Sequence, residues 1–158
     1  MDMNVAFVDR PATAVIGYQE RVSIAGDVDP GFERIWREGF MKLAGAIEPL
    51  SVGRGYYGVC FCTGEEGVMD YLAGMILRPD VDAAPAGAVV RTIPAARFAV
   101  FDCSLATIGA TWNAIYGQWF PASDWASAPG VPCYEQYPPD TTACPDSPVK
   151  LYVPVVPR

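Results

Sequence analysis

Glu135 stands in the segment Pro132-Cys133-Tyr134-Glu135-Gln136-Tyr137-Pro138, a short run rich in β-forming residues. In a strand, period-2 alternation puts Cys133, Glu135 and Tyr137 on one face and Tyr134 and Gln136 on the other. Two environments suit such a carboxylate. On an exposed face, or tied to a tyrosine hydroxyl, it is structural. On a buried face an isolated carboxylate costs several kcal/mol unless it is paired or protonated. It is then held ready for a positively charged ligand or for proton transfer.

Flat rings are plentiful around it, with 8 Tyr, 7 Phe and 4 Trp in the chain. Trp112, Tyr116 and Trp119 fall on one helical face at i, i+4 and i+7. Alone, such a stripe reads as core. Beside an acid it gains a second meaning, because each aromatic face attracts a desolvated cation by about 0.5–2 kcal/mol. Rings plus one carboxylate make a pocket for lipophilic cations.

Other patterns carry less. Gly53-Arg54-Gly55-Tyr56-Tyr57-Gly58 matches G-x-G-x-x-G, but the dinucleotide fingerprint needs a strand before it and a helix after it. Here a helix precedes and a strand follows, so it reads as a flexible loop. Glu65 and Glu66 adjoin glycines in a turn, and Asp80 and Asp82 lie in a linker; without further oxygen ligands neither pair makes a calcium site. Histidine is absent, which excludes Ser-His-Asp and Cys-His machinery and His-ligated zinc. Five cysteines with no C-x-x-C pair give no zinc knuckle or thioredoxin-type dithiol. Cys60 and Cys62 share a strand face, poor geometry for a mutual disulfide, and the five thiols read as reduced and mostly packed. No metal or cofactor is expected.

The elements that position these residues follow from the hydrophobic pattern. A chain of 158 residues, 51% hydrophobic and 18% charged, fits one domain spanning 1–158 or two half-size repeats sharing a core. Strands are expected over 5–8 and 14–24. Asp27 and Asp29-Pro30 punctuate the chain, with Asp29 as a helix N-cap. A period of three and four (Phe32, Ile35, Trp36, Phe40, Leu43, Ile47) then predicts an amphipathic helix ending near Glu48-Pro49. A hairpin follows over 56–62 and 68–77, and 78–87 is the best linker. The second half repeats the order: strands over 88–93 and 97–103, a helix over 105–120 stopped by Pro121, and strands over 132–137 and 149–156. The buried stripe of that helix is Leu105, Ile108, Trp112, Ile115, Tyr116 and Trp119. Arg10-Pro11-Ala12 echoes Ile93-Pro94-Ala95, and each echo leads to a Trp-centred helix (Trp36, Trp112) and a strand pair ending near proline. The expectation is an α+β fold of duplicated strand–helix–strand–strand repeats (about 1–80 and 88–158), forming a largely antiparallel sheet with two helices and a cleft between the repeats.

Charge narrows the partners. Eighteen acidic against eleven basic residues give a formal charge of −7, and only Lys42 and Lys150 are lysines. No polybasic stripe exists to meet phosphates or anionic lipids, so direct nucleic-acid and membrane binding are not expected, whereas a cationic partner would be attracted. The N-terminus lacks a basic region followed by an apolar run, and no stretch of about 18 apolar residues occurs. A cytoplasmic protein is the expectation.

The ordered set Ile93-Pro94-Ala95, Phe98-Ala99-Val100-Phe101, Trp112-Asn113-Ala114-Ile115-Tyr116-Gly117-Gln118-Trp119-Phe120-Pro121, Tyr134-Glu135-Gln136-Tyr137 and Val149-Lys150-Leu151-Tyr152-Val153-Pro154 resembles the gyrase-inhibitor-like small-molecule-binding domains. These include the effector-binding domains of AraC-type and MerR-type multidrug-responsive activators. The resemblance covers the second half well and the first more loosely. It implies a ligand cleft between repeats, a glutamate at Glu135 that meets cationic amphiphiles, and rings of Trp112, Tyr116 and Tyr137 around it. Tyr71 and Phe61 join the site by repeat symmetry. Those regulators carry a separate DNA-reading region for which 158 residues leave no room, so the chain resembles the stand-alone form, with a separate regulatory protein as a possible partner.

Three functions are therefore in view. The first is binding of hydrophobic, cationic small molecules without catalysis. The second, implied by stand-alone members of the family, is hydrolysis of reactive xenobiotics with Glu135 as general base and Tyr116 as oxyanion donor. The third is a protein-interaction inhibitor of the gyrase-inhibitor type, ranked last because the acidic charge is scattered rather than blocked.

Overall fold

The computed structural model describes residues 3–24, 30–53, 55–139 and 144–158. Among the described residues, nine strands and two helices follow one another. Strands β1 (Val5–Arg10) and β2 (Thr13–Ser23) precede helix α1 (32–47), and β3 (Tyr56–Cys62) and β4 (Val68–Ile76) follow it. The second half runs β5 (Val89–Ile93), β6 (Ala96–Ser104), helix α2 (105–122), the short β7 (Trp125–Ser127), β8 (Cys133–Tyr137) and β9 (Pro148–Pro157). The fold is α+β with a mostly antiparallel open sheet, as the sequence predicts.

The sheet order is β1-β6-β9-β8-β3-β4-β2-β5, with β7 attached to β9. Read from either edge, the strands occupy matching places: β6, β9 and β8 mirror β2, β4 and β3. The outermost strands are exchanged, since β1 pairs with β6 and β5 pairs with β2. The midline is the β3–β8 ladder, where Gly58 faces Glu135 and Cys60 faces Cys133.

Alternation divides the side chains of the sheet between two layers. On one face α1 covers β2 and β4 through Ile35, Phe40, Ala44 and Ile47 against Ile16, Val22, Tyr71, Ala73 and Met75. On the same face α2 covers β6 and β9 through Ile115 and Phe120 against Ala99, Phe101, Leu151 and Val153. The other face has no helix. Its buried cluster draws on β2, β3, β4, β5, β6, β8 and β9, with Val8 of β1 and Val131 packed against it and Tyr134 stacked on Tyr152 at 4.5 Å, so the sheet curls around its own core. The two helices leave a groove between them above β3 and β8.

Local chemistry sets the turns. The β3–β4 hairpin closes through Gly64 and Gly67, both at positive φ (88° and 75°), while Thr63 Oγ1 accepts from Glu65 N–H and donates to the Val68 carbonyl. Ser104 and Thr107 form a reciprocal capping box that starts α2. Helix α1 begins at Phe32 after Gly31 (φ 82°), and the Asp27 and Asp29 signals lie outside the described residues, as does Arg54 of the glycine-rich loop.

Both helices depart from the expected 3.6-residue period. Ile35–Phe40 and Ile115–Trp119 form π-helical turns, closed by Met41 N–H to the Trp36 carbonyl and Phe120 N–H to the Ile115 carbonyl. Such turns are rare and gather at functional sites. The wider turn in α2 breaks the single stripe: Ile115 is fully buried while Tyr116 is 48% exposed. The helix also runs two residues further than expected, with Pro121 inside its last turn, Phe120–Ala122.

Candidate functional site

Glu135 lies at the middle of the sheet, on the helical face of β8. Its neighbours in β8 obey the expected alternation: Tyr134 enters the opposite core and Tyr137 turns with the acid toward the helices. The residue is 9% exposed, and its carboxylate is surrounded by neutral donors. Tyr137 Oη donates to Oε1 at 2.7 Å and Tyr71 Oη donates to the same oxygen at 3.3 Å. Trp112 Nε1 donates to Oε2 at 3.0 Å. Trp36 Nε1 donates in turn to Tyr71 Oη at 2.9 Å. An indole from each helix thus converges on one acid, Trp112 directly and Trp36 through a phenol.

Among the described residues no Lys or Arg forms an ion pair with Glu135; seven basic side chains pair with other acids. Burial therefore pushes the carboxyl above its ordinary range, and the bonds from Trp112, Tyr137 and Tyr71 offset that only in part. Burial, reinforced by the carboxylate, drives the phenols of Tyr71 and Tyr137 upward, which keeps both as donors.

Gly58 makes this packing possible. It sits across the ladder from Glu135. A β-carbon there would lie 2.2 Å from Tyr71 Oη and 3.0 Å from Glu135 Oε1.

In front of the acid opens a cavity of about 700 Å³. Phe32, Trp36, Phe40 and Met41 of α1 form one wall, Leu105 and Ile108 of α2 the other, and Tyr56, Tyr71, Glu135 and Tyr137 the floor. The rings meet edge to face: Trp36 and Tyr137 are 5.7 Å apart at 76°, and Trp36 and Phe40 5.3 Å apart at 68°. Arg37, the basic side chain of the lining, is held by Glu33 at 3.1 Å at the exposed rim. The volume falls within the range of small-molecule sites.

The expected site residues separate into three groups. Glu135, Tyr137 and Tyr71 line the cavity. Trp112 and Tyr116 do not. Trp112 stands behind the acid and fixes its orientation, while Tyr116 stacks on Trp112 (6.2 Å, 21°) and turns its hydroxyl onto the Cys133 thiol. That end is enclosed, which pushes the Tyr116 phenol up although the ring edge is exposed. Phe61 is misplaced altogether. It points to the opposite core with Tyr57 and Val59, beneath the Arg91 guanidinium at 3.8 Å. The alternation from Cys60 already contained that answer. Sequence reasoning also left out Trp36, Phe32, Phe40 and Tyr56, read only as core or strand residues; the pairing of Trp36 with Trp112 was the available signal.

With this geometry in hand, the match to the GyrI-like small molecule binding domain over residues 3–156 is informative. The chain belongs to that family. No curated protein matches it in sequence. Among solved structures, this GyrI-like domain is similar to SAV2435 bound to tetraphenylphosphonium (TM-score 0.80, 16% identity, covering 98% of this chain and 94% of that one). It is similar also to the EcmrR C-terminal domain (TM-score 0.69, 13% identity, all of both chains). A hydrolase encoded by lin2189 from Listeria innocua is more distant (TM-score 0.56, 11% identity, 98% and 92%). At these identities the structural likeness speaks for the fold, and no helix of the described residues is long and apolar enough to cross a membrane.

Two outcomes follow for the domain. Gly58→Ala should destabilise it by about 1–3 kcal/mol through overpacking against Tyr71 and the acid, measured by urea denaturation; an unchanged midpoint would contradict the close packing. The pH dependence has a fixed sign. Because the folded carboxyl holds its proton above the unfolded range, near about 4.3, its contribution is full below that range and is lost as pH rises through the folded value. Relative to wild type, Glu135→Gln should therefore become steadily more stable across that window. A difference independent of pH would contradict burial of an uncompensated acid.

Proposed function

We propose that this GyrI-like domain binds lipophilic cations whose positive centre meets the Glu135 carboxylate while their apolar groups pack on Trp36, Phe40, Tyr56 and Tyr137. The observation that carries the reading is a buried acid that faces an aromatic cavity and, among the described residues, has no ion-pair partner. Desolvation is already borne by the folded protein, so an entering cation meets a charge stripped of water, where attraction is stronger than in bulk solvent. Neutral donors hold the carboxylate in place without cancelling it. The chain's charge of −7 adds a field of the right sign. SAV2435, of similar fold, is bound to a phosphonium cation, and that ligand is a suitable probe here.

A second reading keeps the same acid as a general base in hydrolysis. It is favoured by the raised carboxyl pKa, which suits a base working nearer neutrality, and by the hydrolase of similar fold. In that version Tyr137 or Tyr71 would face the substrate, because Tyr116 does not line the cavity. Three bonds already occupy the carboxylate, which leaves about one of its four lone-pair positions for water and favours binding.

Titration with tetraphenylphosphonium should quench the fluorescence of Trp36 and Trp112. Glu135→Gln should weaken that cation by tenfold or more, about 1.4 kcal/mol, with little effect on neutral triphenylphosphine oxide. The wild-type affinity should fall as pH drops through the raised carboxyl value, since only the ionised acid attracts the cation. Equal weakening of both ligands by the substitution would contradict the charge argument. Turnover of a panel of activated esters, lost in Glu135→Gln, would favour hydrolysis instead.

A further inference from the structure

Beneath Tyr116, outside the aromatic cavity, two thiols face each other across the midline of the sheet. Cys60 and Cys133 are direct partners in the β3–β8 ladder. Directly opposed residues in an antiparallel pair have Cα atoms about 4.5–5.5 Å apart, inside the roughly 4.4–6.8 Å window of a disulfide. Both point to the helical face and both are half-buried and unbridged. The Tyr116 ring, stacked on Trp112, lies over this end of the ladder beside Cys133. Tyr116, itself on the surface, is the cover.

We propose that Cys60 and Cys133 form a dithiol modification site that a hydroperoxide closes into a cross-strand disulfide. In the first step the thiolate of one cysteine attacks the terminal peroxide oxygen. The O–O bond breaks, the leaving alkoxide takes a proton to become an alcohol, and that cysteine becomes a sulfenic acid. In the second step the sulfur of the opposed cysteine attacks that sulfur. The S–O bond breaks and the oxygen leaves as water with the second thiol's proton. The sum is two thiols and one hydroperoxide giving one disulfide, one alcohol and one water, and an external thiol reverses it.

Register selects the pair. Cys60 and Cys133 face each other directly in the β3–β8 ladder. Cys62 is exposed, and its strand partner is Met69 rather than a thiol. Cys103 stands on another strand opposite Val149, where burial pushes its thiol up to about 11. Geometry therefore selects one pair among five thiols.

The full chain, reduced and then treated with tert-butyl hydroperoxide, should lose the mass of two hydrogen atoms. Alkylation in denaturant followed by peptide mapping should show Cys60 joined to Cys133, with Cys62, Cys103 and Cys144 alkylated. Dithiothreitol should restore the original mass. Neither Cys60→Ser nor Cys133→Ser should form a disulfide, and in each the remaining thiol of the pair should stop at a sulfenic acid that dimedone captures. Circular dichroism verifies that each variant is folded. A bridge through Cys62 or Cys144, or a Cys60–Cys133 bridge formed only after unfolding, would overturn the proposal.

Discussion

An ionised carboxyl buried without a counter-charge is among the least favourable arrangements in a protein interior, and the arrangement around Glu135 is built to tolerate it. Neutral donors stabilise the anion without removing its charge: two phenols on one oxygen, an indole on the other, and a second indole behind one phenol. An arginine in place of any of them would relieve the acid and leave nothing for a ligand to do. The cavity in front is then an apolar volume whose one uncompensated feature is negative. That combination selects for guests that are large, flat and positive.

Holding three donors on one acid, with a fourth behind one of them, requires the whole architecture. The acid and Tyr137 come from β8, Tyr71 from β4, Trp112 from α2 and Trp36 from α1. These elements come from opposite halves of the chain and meet at the β3–β8 ladder, the symmetric midline of the sheet order. Closeness depends on small features. Gly58 gives up its side chain so that Tyr71 and Glu135 can touch. The two π-helical turns widen the helices near the tryptophans that reach inward. The curled sheet buries its other face unaided and leaves both helices free to frame the cavity.

Much of this was legible in the residues. Alternation along 132–138 put Glu135 and Tyr137 together and sent Tyr134 away, and the strand order within each half followed from β-forming runs between glycine and proline signals. The limits are equally physical. A helical wheel drawn at 3.6 residues per turn cannot register a π turn, so Tyr116 was placed on the buried stripe, although it stacks on Trp112 from the exposed side and does not line the cavity. Phe61 was assigned to the site on a supposed symmetry, while its position between Cys60 and Cys62 sends it to the far core. Trp36 and Phe40 looked like ordinary core residues because a cavity wall and a core use the same side chains at the same spacing. Which cross-strand neighbours meet, Cys60 with Cys133 and Gly58 with Glu135, is set by register, and single-strand patterns do not encode it.

The most direct test is the ionisation of the central acid itself. With carboxyl carbons of glutamate labelled with carbon-13, the Glu135 resonance can be assigned by its loss in Glu135→Gln and followed by NMR against pH. The account requires a midpoint well above the ordinary glutamate range in the free protein, falling when tetraphenylphosphonium saturates the cavity. A midpoint in the ordinary range that does not move with the ligand would contradict it.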